Sequence, residues 1–327
     1  MGYSGTVSQT TFETRRVIDR ALGRCGIKPQ EITAEMIDRA NDNLYLILST
    51  LPTEGMPLWC MQKVLLPLSE GLSALTLPVG TVDVVNAFYR TLSPLTGAVV
   101  NVPAGLSITF TSPSVVTTVG LSWSGTAVPV TIQCSSDGLT WATVATDDQA
   151  ADVGETTWID LDGTTAKQYW QVLPTTGLLS LTSATWANTP QDIMMARLNR
   201  DQYQQLPNKT FPGRPLQYWF DRQVAQPIMR LWPVPDSSAA ANLAVAWRHR
   251  HVMDVGTMTQ ELEVPQRWLE AIIAKLAAAM VVDTPEADPS RIGPLQALAQ
   301  QASVGVWSEE RDRSPIQFQP NIRVYTR

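Results

Sequence analysis

Basic residues are missing from one continuous stretch of this 327-residue chain. Between Arg90 and Lys167 there is no lysine and no arginine, although basic residues are scattered before and after. Residues 95–189 carry 1 basic and 7 acidic residues, against 8 and 9 in residues 1–94 and 15 and 14 in residues 190–327. The formal net charge of −6 therefore comes from the middle segment. This change of composition predicts an inserted domain, 95–189, within a discontinuous domain formed by 1–94 and 190–327.

Cysteine and histidine are scarce, which limits the kinds of site that the chain can build. The three cysteines, Cys25, Cys60 and Cys134, are odd in number and far apart, so we expect buried free thiols rather than disulfides or a zinc site. The two histidines, His249 and His251, have no third ligand at a recognisable spacing, so we predict no metal site. Phosphate-binding glycine loops and nucleophile-elbow motifs are also missing. We therefore expect a protein without catalytic residues, cofactors or enzymatic activity.

Long apolar runs are absent as well. No stretch approaches the roughly 20 apolar residues that a membrane-spanning helix needs, and the N-terminal residues lack the basic region and apolar run of a secretory signal. The acidic net charge gives no general attraction to nucleic acid or to anionic membranes. These features favour a soluble protein, made in a cytoplasm, that neither spans a membrane nor reads DNA sequence directly.

Two different periodicities divide the chain. Apolar residues recur at helical spacing near both ends, over 17–25, 33–51, 265–280 and 295–306. The acidic middle instead contains short β-rich runs separated by Gly, Pro, Ser and Asp. These runs cover 106–110, 115–123, 128–134, 140–145, 156–161, 167–173 and 178–186. The predicted fold class is α+β, with a mainly helical split domain that has a small antiparallel sheet and an inserted all-β jelly roll or sandwich.

The insert contains a hairpin signal and a family resemblance. Ser-Ser-Asp-Gly at 135–138 precedes Trp141, and an Asp-Gly pair between two β-rich runs favours a hairpin. Together with Lys-Gln-Tyr-Trp-Gln-Val at 167–172, this pattern resembles discoidin-type (coagulation factor C-domain-like) jelly-roll modules. The resemblance implies a sandwich that binds glycans or surfaces through loops at one end. The insert is shorter and lacks that family's bracketing cysteine pair, so no binding-loop residue is transferred to it.

Arginine and aromatic residues alternate with polar turns between residues 197 and 236. These residue types dominate the anchors of protein interfaces. We therefore predict that this irregular β segment contributes to contacts between subunits, although a small sheet solvated on one face would also explain it. The candidate interface residues are Arg214, Tyr218, Trp219, Arg222 and Trp232.

The outer segments carry short motifs in a recognisable order. They are Glu-Gly at 54–55, Leu-Trp at 58–59, Leu-Thr-Leu-Pro at 75–78, Val-Asp-Val-Val at 82–85, Arg-Asp-Gln-Tyr at 200–203, Leu-Pro-Asn-Lys at 206–209, Gly-Arg-Pro at 213–215, Leu-Trp-Pro-Val-Pro-Asp at 231–236 and Val-Pro-Gln-Arg-Trp at 264–268. This order resembles the head-to-tail adaptor proteins of short-tailed phages, also called tail accessory, head-completion or packaged-DNA-stabilization proteins. The resemblance covers about residues 10–94 and 190–320.

The adaptor resemblance implies a structural connector of a virion. Such proteins form a ring of twelve copies beneath the portal protein, meet the tail tube or nozzle protein, and retain packaged DNA, which passes without sequence-specific binding. The resemblance also implies a location at the head-tail junction and a C-terminal arm, about residues 312–327, that reaches the portal. The candidate portal contacts are Arg311, Arg313, Phe318 and Tyr325. The inserted sandwich is expected to face outward, toward tail fibres or capsid.

Two alternative functions stay open at this point. The chain could be a glycan-binding or host-surface-binding virion protein in which the sandwich is the active part. It could also be a cell-wall hydrolase that uses paired carboxylates. The available pairs are Asp160 with Asp162 and Asp147 with Asp148, which acidic turn residues on a solvated sandwich would explain more simply.

Overall fold

The computed structural model describes residues 12–102, 105–148, 155–161, 165–223 and 226–310. The chain divides into two compact units. Residues Met1–Gln62 and His249–Arg327 form one of them, which we call the helical unit. Residues Lys63–Arg248 form the other, which we call the β unit.

The helical unit combines helices from both ends of the chain. The α-helices of the described residues are α1 Thr14–Arg24, α2 Ala34–Glu54, α3 Arg200–Gln204, α4 Gln266–Asp283 and α5 Ile292–Glu309, of which α3 belongs to the β unit. The Thr33 hydroxyl accepts a hydrogen bond from the Met36 N–H at 3.3 Å and caps α2. Pro265 precedes α4, a position that suits a residue without an N–H. Both starts agree with the sequence signals.

Apolar side chains from α1, α2, α4 and α5 pack into one core. On α4, Trp268, Ile272, Leu276 and Met280 are buried at four-residue spacing, which places them along one side of the helix. Burial of a side chain of this size stabilises the fold by about 1.5–3 kcal/mol. The two distant chain ends therefore fold together around a shared apolar centre.

Sixteen strands lie within the described residues. They are β1 Met61–Pro67, β2 Ala74–Thr76, β3 Thr81–Pro94, β4 Ala98–Val102, β5 Gly105–Ser114, β6 Thr118–Trp123, β7 Val130–Ser135, β8 Ala142–Asp147, β9 Thr156–Asp160, β10 Lys167–Pro174, β11 Leu181–Leu198, β12 Pro212–Gly213, β13 Gln217–Asp221, β14 Ile228–Trp232, β15 Val234–Pro235 and β16 Leu243–Arg250. A 9-stranded sheet has the order β1-β16-β3-β11-β13-β14-β2, with β6 beside β11 and β9 beside β6. A 5-stranded sheet has the order β4-β5-β10-β7-β8, and β12 pairs with β15.

Two long strands, β3 and β11, lead from the nine-stranded sheet into a β-sandwich. They pair antiparallel on both sides of a bulge between Asn188 and Gln191. The first part of β11 also pairs with β6, which pairs with β9. The five-stranded sheet shares an apolar core with these strands, in which the ring centroids of Trp170 and Trp186 are 6.3 Å apart. The inserted β-sandwich is therefore present.

The attachment of the sandwich is made of paired strands. The boundary expected at 94/95 coincides with the end of β3, and the one expected at 189/190 falls inside β11; near these points Ser93 lies opposite Asn188. The β unit accordingly extends from Lys63 to Arg248 without a break at the insert. The sandwich is thus an extension of a larger sheet.

The expected fold class, a mainly helical split domain with a small antiparallel sheet, is wrong. Strands make up 38% of the described residues and helices 28%. The nine-stranded sheet is mixed, because β11 and β13 pair in parallel while β11 pairs antiparallel with β3. This sheet was not predicted because Pro190 and Asp192, within β11, interrupt the alternation of apolar and polar residues that indicates a strand. The pairing of β11 with β3 shifts register between Asn188 and Gln191, and such a bulge breaks the regular alternation by which a strand is recognised.

Candidate functional site

The outer face of the five-stranded sheet carries a row of uncharged polar side chains. The register places Ser107, Gln171, Gln133 and Thr143 opposite one another on β5, β10, β7 and β8. Gln171 Nε2 donates to Gln133 Oε1 at 2.7 Å, and Gln133 Nε2 donates to Thr143 Oγ1 at 3.3 Å. On β5, β10 and β7, residues next to them belong to the sandwich core: Ile108, Trp170, Val172, Ile132 and Cys134. We call these four residues, together with Tyr169, the amide face.

Tyr169 adds an aromatic ring to this face. It precedes Gln171 by two residues on β10, so both side chains lie on the same side of the sheet. Its half-buried ring packs against Gly138, which has a φ of 74° in the turn between β7 and β8. Lys167 Nζ donates to Ser136 Oγ of the same turn at 2.8 Å. The ring is therefore held beside the glutamine row by an ordered hairpin.

Asp137 closes that hairpin. Its Oδ1 accepts hydrogen bonds from the Leu139 and Thr140 N–H groups, both at 2.9 Å, and its Oδ2 accepts one from the Thr140 hydroxyl at 2.6 Å. The Ser135 hydroxyl also donates to Oδ1, at 2.8 Å. These bonds, the one from the Thr140 hydroxyl above all, hold the pKa of Asp137 well below its ordinary value. The hairpin predicted from the Asp-Gly pair is confirmed.

The amide face has the chemistry of a site for neutral, hydroxyl-rich ligands. Each glutamine amide offers two donors and an acceptor oxygen, and each hydroxyl both donates and accepts. The ring of Tyr169 supplies an apolar surface with a polar end. No charged residue belongs to the row, although the insert as a whole is acidic.

A second group of aromatic and basic side chains lies on β13, β14 and the segment that begins with α3. The rings of Tyr203 and Trp219 pack with centroids 5.0 Å apart and an angle of 32° between their planes. The Arg230 guanidinium lies 5.7 Å from the Trp219 ring, and Lys209 Nζ lies 6.0 Å from the Tyr203 ring. Cations over aromatic faces at these distances are attracted by the ring quadrupole. We call these residues, with Trp232, the aromatic-basic face.

The five predicted interface residues occupy different environments. Trp219 and Trp232 are half-buried and belong to the aromatic-basic face. Arg214 and Arg222 are exposed near other rings, with guanidinium carbons 6.0 Å from Tyr89 and 5.9 Å from Phe220. The fifth, Tyr218, is buried in the sheet core, so its side chain is not available on the surface of this chain. The aromatic and arginine pattern of the sequence does not show which of these side chains lie on an exposed face of the sheet and which lie in its core.

A buried ionic cluster joins the sandwich to the nine-stranded sheet. Arg90 on β3 is only 4% exposed. Its guanidinium lies 3.0 Å from Asp160 Oδ1 on β9 and 2.7 Å from Asp192 Oδ1 on β11. Lys63 on β1 pairs with the other oxygen of Asp160. The sequence interpretation of Asp160 as a solvated turn residue is therefore wrong, and its proposed companion Asp162 lies outside the described residues.

In the helical unit, Glu310 anchors the end of α5. Its side chain is 1% exposed and accepts hydrogen bonds from the Leu58 N–H at 2.8 Å, Arg267 Nη2 at 2.7 Å and Trp268 Nε1 at 3.4 Å. Burial alone would raise the pKa of Glu310, but these bonds outweigh it and lower the pKa. Trp307 packs edge-on against Trp268 at 4.8 Å. The predicted portal contacts follow directly after this anchor, outside the described residues: Arg311, Arg313, Phe318 and Tyr325.

The remaining candidate chemistry finds no site among the described residues. No group of three or more His, Cys, Asp or Glu side chains there could hold a metal ion. His249 is buried and His251 exposed. All three cysteines are free and buried, as expected, and burial raises the pKa of Cys25 to about 11 and that of Cys60 to about 12. The described helices are all too short or too polar to cross a membrane.

Comparison with known proteins gives matches to solved structures alone. No protein-family model and no curated protein matches the chain. CBM32-1 from a family 31 glycoside hydrolase of Clostridium perfringens has a TM-score of 0.23 and 16% identity, covering 42% of this chain and 99% of that one. Chitosan-binding module 1 from a chitosanase/glucanase of Paenibacillus sp. IK-5 has a TM-score of 0.22 and 21% identity, covering 37% and 98%. A putative alpha-L-fucosidase from Bacteroides thetaiotaomicron has a TM-score of 0.23 and 10% identity, covering 31% of this chain but 22% of that protein.

These likenesses carry no argument about function, because their TM-scores are low. The β-sandwich is established by its own strand pairing and shared core. The likeness to head-to-tail adaptors rests on the order of sequence motifs in the outer segments.

Proposed function

We propose that the β unit is a recognition module that binds neutral carbohydrate through the amide face. The observation that carries this proposal is the hydrogen-bonded row from Gln171 through Gln133 to Thr143, with Tyr169 beside it. Sugar hydroxyls need partners that both donate and accept, and the apolar side of a sugar ring stacks on an aromatic ring.

The position of the row supports the same function. Its side chains project from adjacent paired strands, so their spacing is set by the sheet and little ordering is needed when a ligand binds. The mutual bonds of the two glutamines fix the orientation of both amides, which leaves their remaining donors and acceptors directed in a defined pattern. Because the row is uncharged, it favours neutral over acidic sugars.

Affinity electrophoresis of the full chain tests the proposal. Gels contain galactan, xylan or glucan as neutral polysaccharides, or polygalacturonate as an acidic one. We expect retardation by at least one neutral polymer and none by polygalacturonate. Gln171→Ala and Tyr169→Ala should each weaken retardation about tenfold or more, since the loss of one well-placed contact is worth about 1.4 kcal/mol or more.

The matched control is Gln296→Ala, which removes an exposed glutamine from α5 in the other unit. It should leave retardation unchanged. Binding that survives both amide-face variants, or that is lost equally in the Gln296 variant, would contradict the assignment. Failure to bind any neutral polymer would do so as well.

The second candidate is the structural connector of a phage head-tail junction. We propose it because Glu310 fixes the point from which residues 311–327 depart, and those residues carry four arginines and one aspartate. A fixed base with a cationic segment suits an arm that engages a partner. On this proposal the chain is not an enzyme, it acts in a virion with portal and tail tube proteins, and it assembles into a ring that retains DNA.

Mass measurement of the chain mixed with a portal ring from the same genome tests this candidate. We expect several copies bound per portal ring. Glu310→Ala should reduce binding, because the base of the arm loses three hydrogen bonds, whereas Glu309→Ala at the exposed neighbouring position should not. A chain that stays unbound with every portal preparation would overturn the connector assignment while leaving carbohydrate binding untouched.

A further inference from the structure

The edges of the two larger sheets differ in how well they are protected. Unpaired backbone groups at an edge invite another strand, and proteins block this with charges, prolines, bulges or short strands. Here β1 carries Lys63 and ends at Pro67, β2 has 3 residues, and β9 ends at Asp160. The edge strand β8 has a bulged pairing with β7 and ends at Asp147. Each of these four edges therefore has at least one protecting device.

The edge strand β4 has none of these devices. Its sequence, Ala-Val-Val-Asn-Val over 98–102, contains no charge and no proline. It pairs with β5 in an unbroken register, from Ala98 opposite Thr109 to Val102 opposite Gly105. Among the described residues β5 is its single strand partner. Val99 and Val100, which point to opposite faces of the sheet, are 55% and 54% exposed. This strand is built like an inner strand but lies at an edge.

The sequence after Glu310 has the alternation that is typical of a β-strand. Ile316, Phe318, Ile322 and Val324 are apolar, and the residues between them are polar, apart from Pro320 at the centre of the series. Alternation over this length is typical of a half-buried strand. The 17 residues that follow Glu310 can span up to about 55 Å when extended, so the segment can reach well beyond the helix from which it departs.

We propose that residues 316–324 of one copy pair as an added strand with β4 of a second copy. An extended segment that joins an open sheet edge gains main-chain hydrogen bonds, and alternate side chains set its register. Charge favours the pairing, because residues 311–327 carry four arginines and one aspartate while the insert carries 1 basic and 7 acidic residues. The contact links two different surfaces, so it joins copies head to tail.

Pro320 determines which edge of the added strand faces β4. Proline has no N–H, so in a strand it occurs where that side faces solvent. Within the segment, residues 316, 318, 320, 322 and 324 would therefore direct their backbone groups away from β4, and residues 317, 319, 321 and 323 would make the hydrogen bonds to it. The proline then blocks the new edge against a further strand. The proposal concerns self-association and depends on neither carbohydrate nor portal binding.

Crosslinking between two separately prepared full-length variants tests this contact. One carries Val99→Cys or Val100→Cys, the other carries Phe318→Cys and a mass tag, and a short bismaleimide is added to the mixture. The three native cysteines are buried, so they contribute little background. We expect tagged heterodimers several-fold above the yield from Val304→Cys, a control at an exposed valine of α5. Hydrogen exchange at 98–102 should also slow as the protein concentration rises.

Two results would overturn the proposal. Heterodimer yields equal to the Val304 control, with exchange at 98–102 independent of concentration, would exclude pairing between copies. An efficient crosslink within one molecule of a Val100→Cys/Phe318→Cys chain, with no heterodimer in the mixed experiment, would show that the segment covers β4 of its own chain. Both outcomes leave the carbohydrate and portal experiments free to succeed or fail.

Discussion

The two sheets of the sandwich are attached to the β unit in different ways. The sheet made by β6, β9 and the start of β11 continues into the nine-stranded sheet and is fixed by the buried cluster of Arg90, Asp160 and Asp192. Within the described part of the chain, the five-stranded sheet shares no strand with the nine-stranded sheet. Its outer face carries amides and hydroxyls, and its edge strand β4 is unprotected.

This difference separates anchoring from recognition. A buried ion pair costs desolvation and contributes stability only when its partners are all present, so it suits a junction that must keep one geometry. Neutral side chains on a solvated sheet need no such compensation and keep spare hydrogen-bonding capacity for a ligand. One sheet therefore fixes the sandwich in place, and the other carries the amide face that we propose binds a ligand.

The largest expected effect comes from removing Arg90 from the buried cluster. This cluster fixes the sheet made by β6, β9 and the start of β11, which we call the anchored sheet. Arg90→Met keeps most of the aliphatic volume but leaves Asp160 and Asp192 without their shared cation. Removal of one partner from a buried pair costs about 3–5 kcal/mol, and we expect the lower end because Lys63 still contacts Asp160. Hydrogen exchange in peptides from β11 measures the free energy of local unfolding around the cluster, and this free energy should fall by that amount in the variant.

Arg222→Ala is the control for this prediction. Arg222 is exposed and lies 3.5 Å from Asp83, so its loss should cost less than about 1 kcal/mol. Equal effects of the two substitutions would show that the cluster does not fix the junction. The double variant Arg90→Met, Asp192→Asn should recover part of the loss, because Asp160 keeps Lys63 as its partner and no uncompensated charge is left.

A steric pair of substitutions should give intermediate effects and compare the two sheets directly. A Cβ on Gly105 would collide with the backbone carbonyl oxygen of Val172 in the five-stranded sheet, whereas a Cβ on Gly120 would lie 2.7 Å from the Trp158 ring in the anchored sheet. A side chain can shift, but a paired backbone cannot do so without losing hydrogen bonds. Within the about 1–3 kcal/mol typical of overpacking, we expect Gly105→Ala to cost more than Gly120→Ala.

Chemical denaturation with tryptophan fluorescence checks this order. The control is Gly23→Ala, at a helical glycine with open space around it, where an added Cβ meets no other atom. Gly71→Ala is unsuitable, because Gly71 has a φ of 76° and the substitution would add backbone strain. An effect of Gly120→Ala that exceeds that of Gly105→Ala would mean that the five-stranded sheet adapts more readily than the anchored one.

Local patterns predicted much of this fold. The β-rich runs of the insert correspond to β5 through β11 because short strands with Gly, Pro and Asp between them carry both the period and the turns in the sequence. The Asp137-Gly138 turn and the Thr33 cap were also predictable from local sequence. In each, the side chain that indicates the turn or the cap accepts a backbone hydrogen bond within three residues.

The nine-stranded sheet could not be predicted in this way. Its partners are far apart along the chain, as Arg90 and Asp192 are, and β11 crosses a bulge that contains Pro190. The amide face was missed for a related reason. Gln133 and Gln171 are unremarkable along the sequence, and only the register of β7 and β10 brings them together. The charge of Asp160 likewise suggested solvent, because a buried ionic partner leaves no local signal.

The smallest expected effect concerns pH and the hairpin beside the amide face. Hydrogen bonds lower the pKa of Asp137 in the folded chain, so its contribution to stability is present above the unfolded pKa of about 3.9 and is lost as the pH falls below it. The difference in Tm between the natural chain and Asp137→Asn should therefore be largest near pH 6 and shrink toward pH 3. Asp148→Asn, at an exposed position beyond the other end of β8, should show no such trend. A difference in Tm that is constant with pH would mean that the carboxylate charge does not close the turn. A change in the hydrogen exchange of β11 in the Asp137→Asn variant would mean that the two sheets of the sandwich are coupled more strongly than their connections indicate.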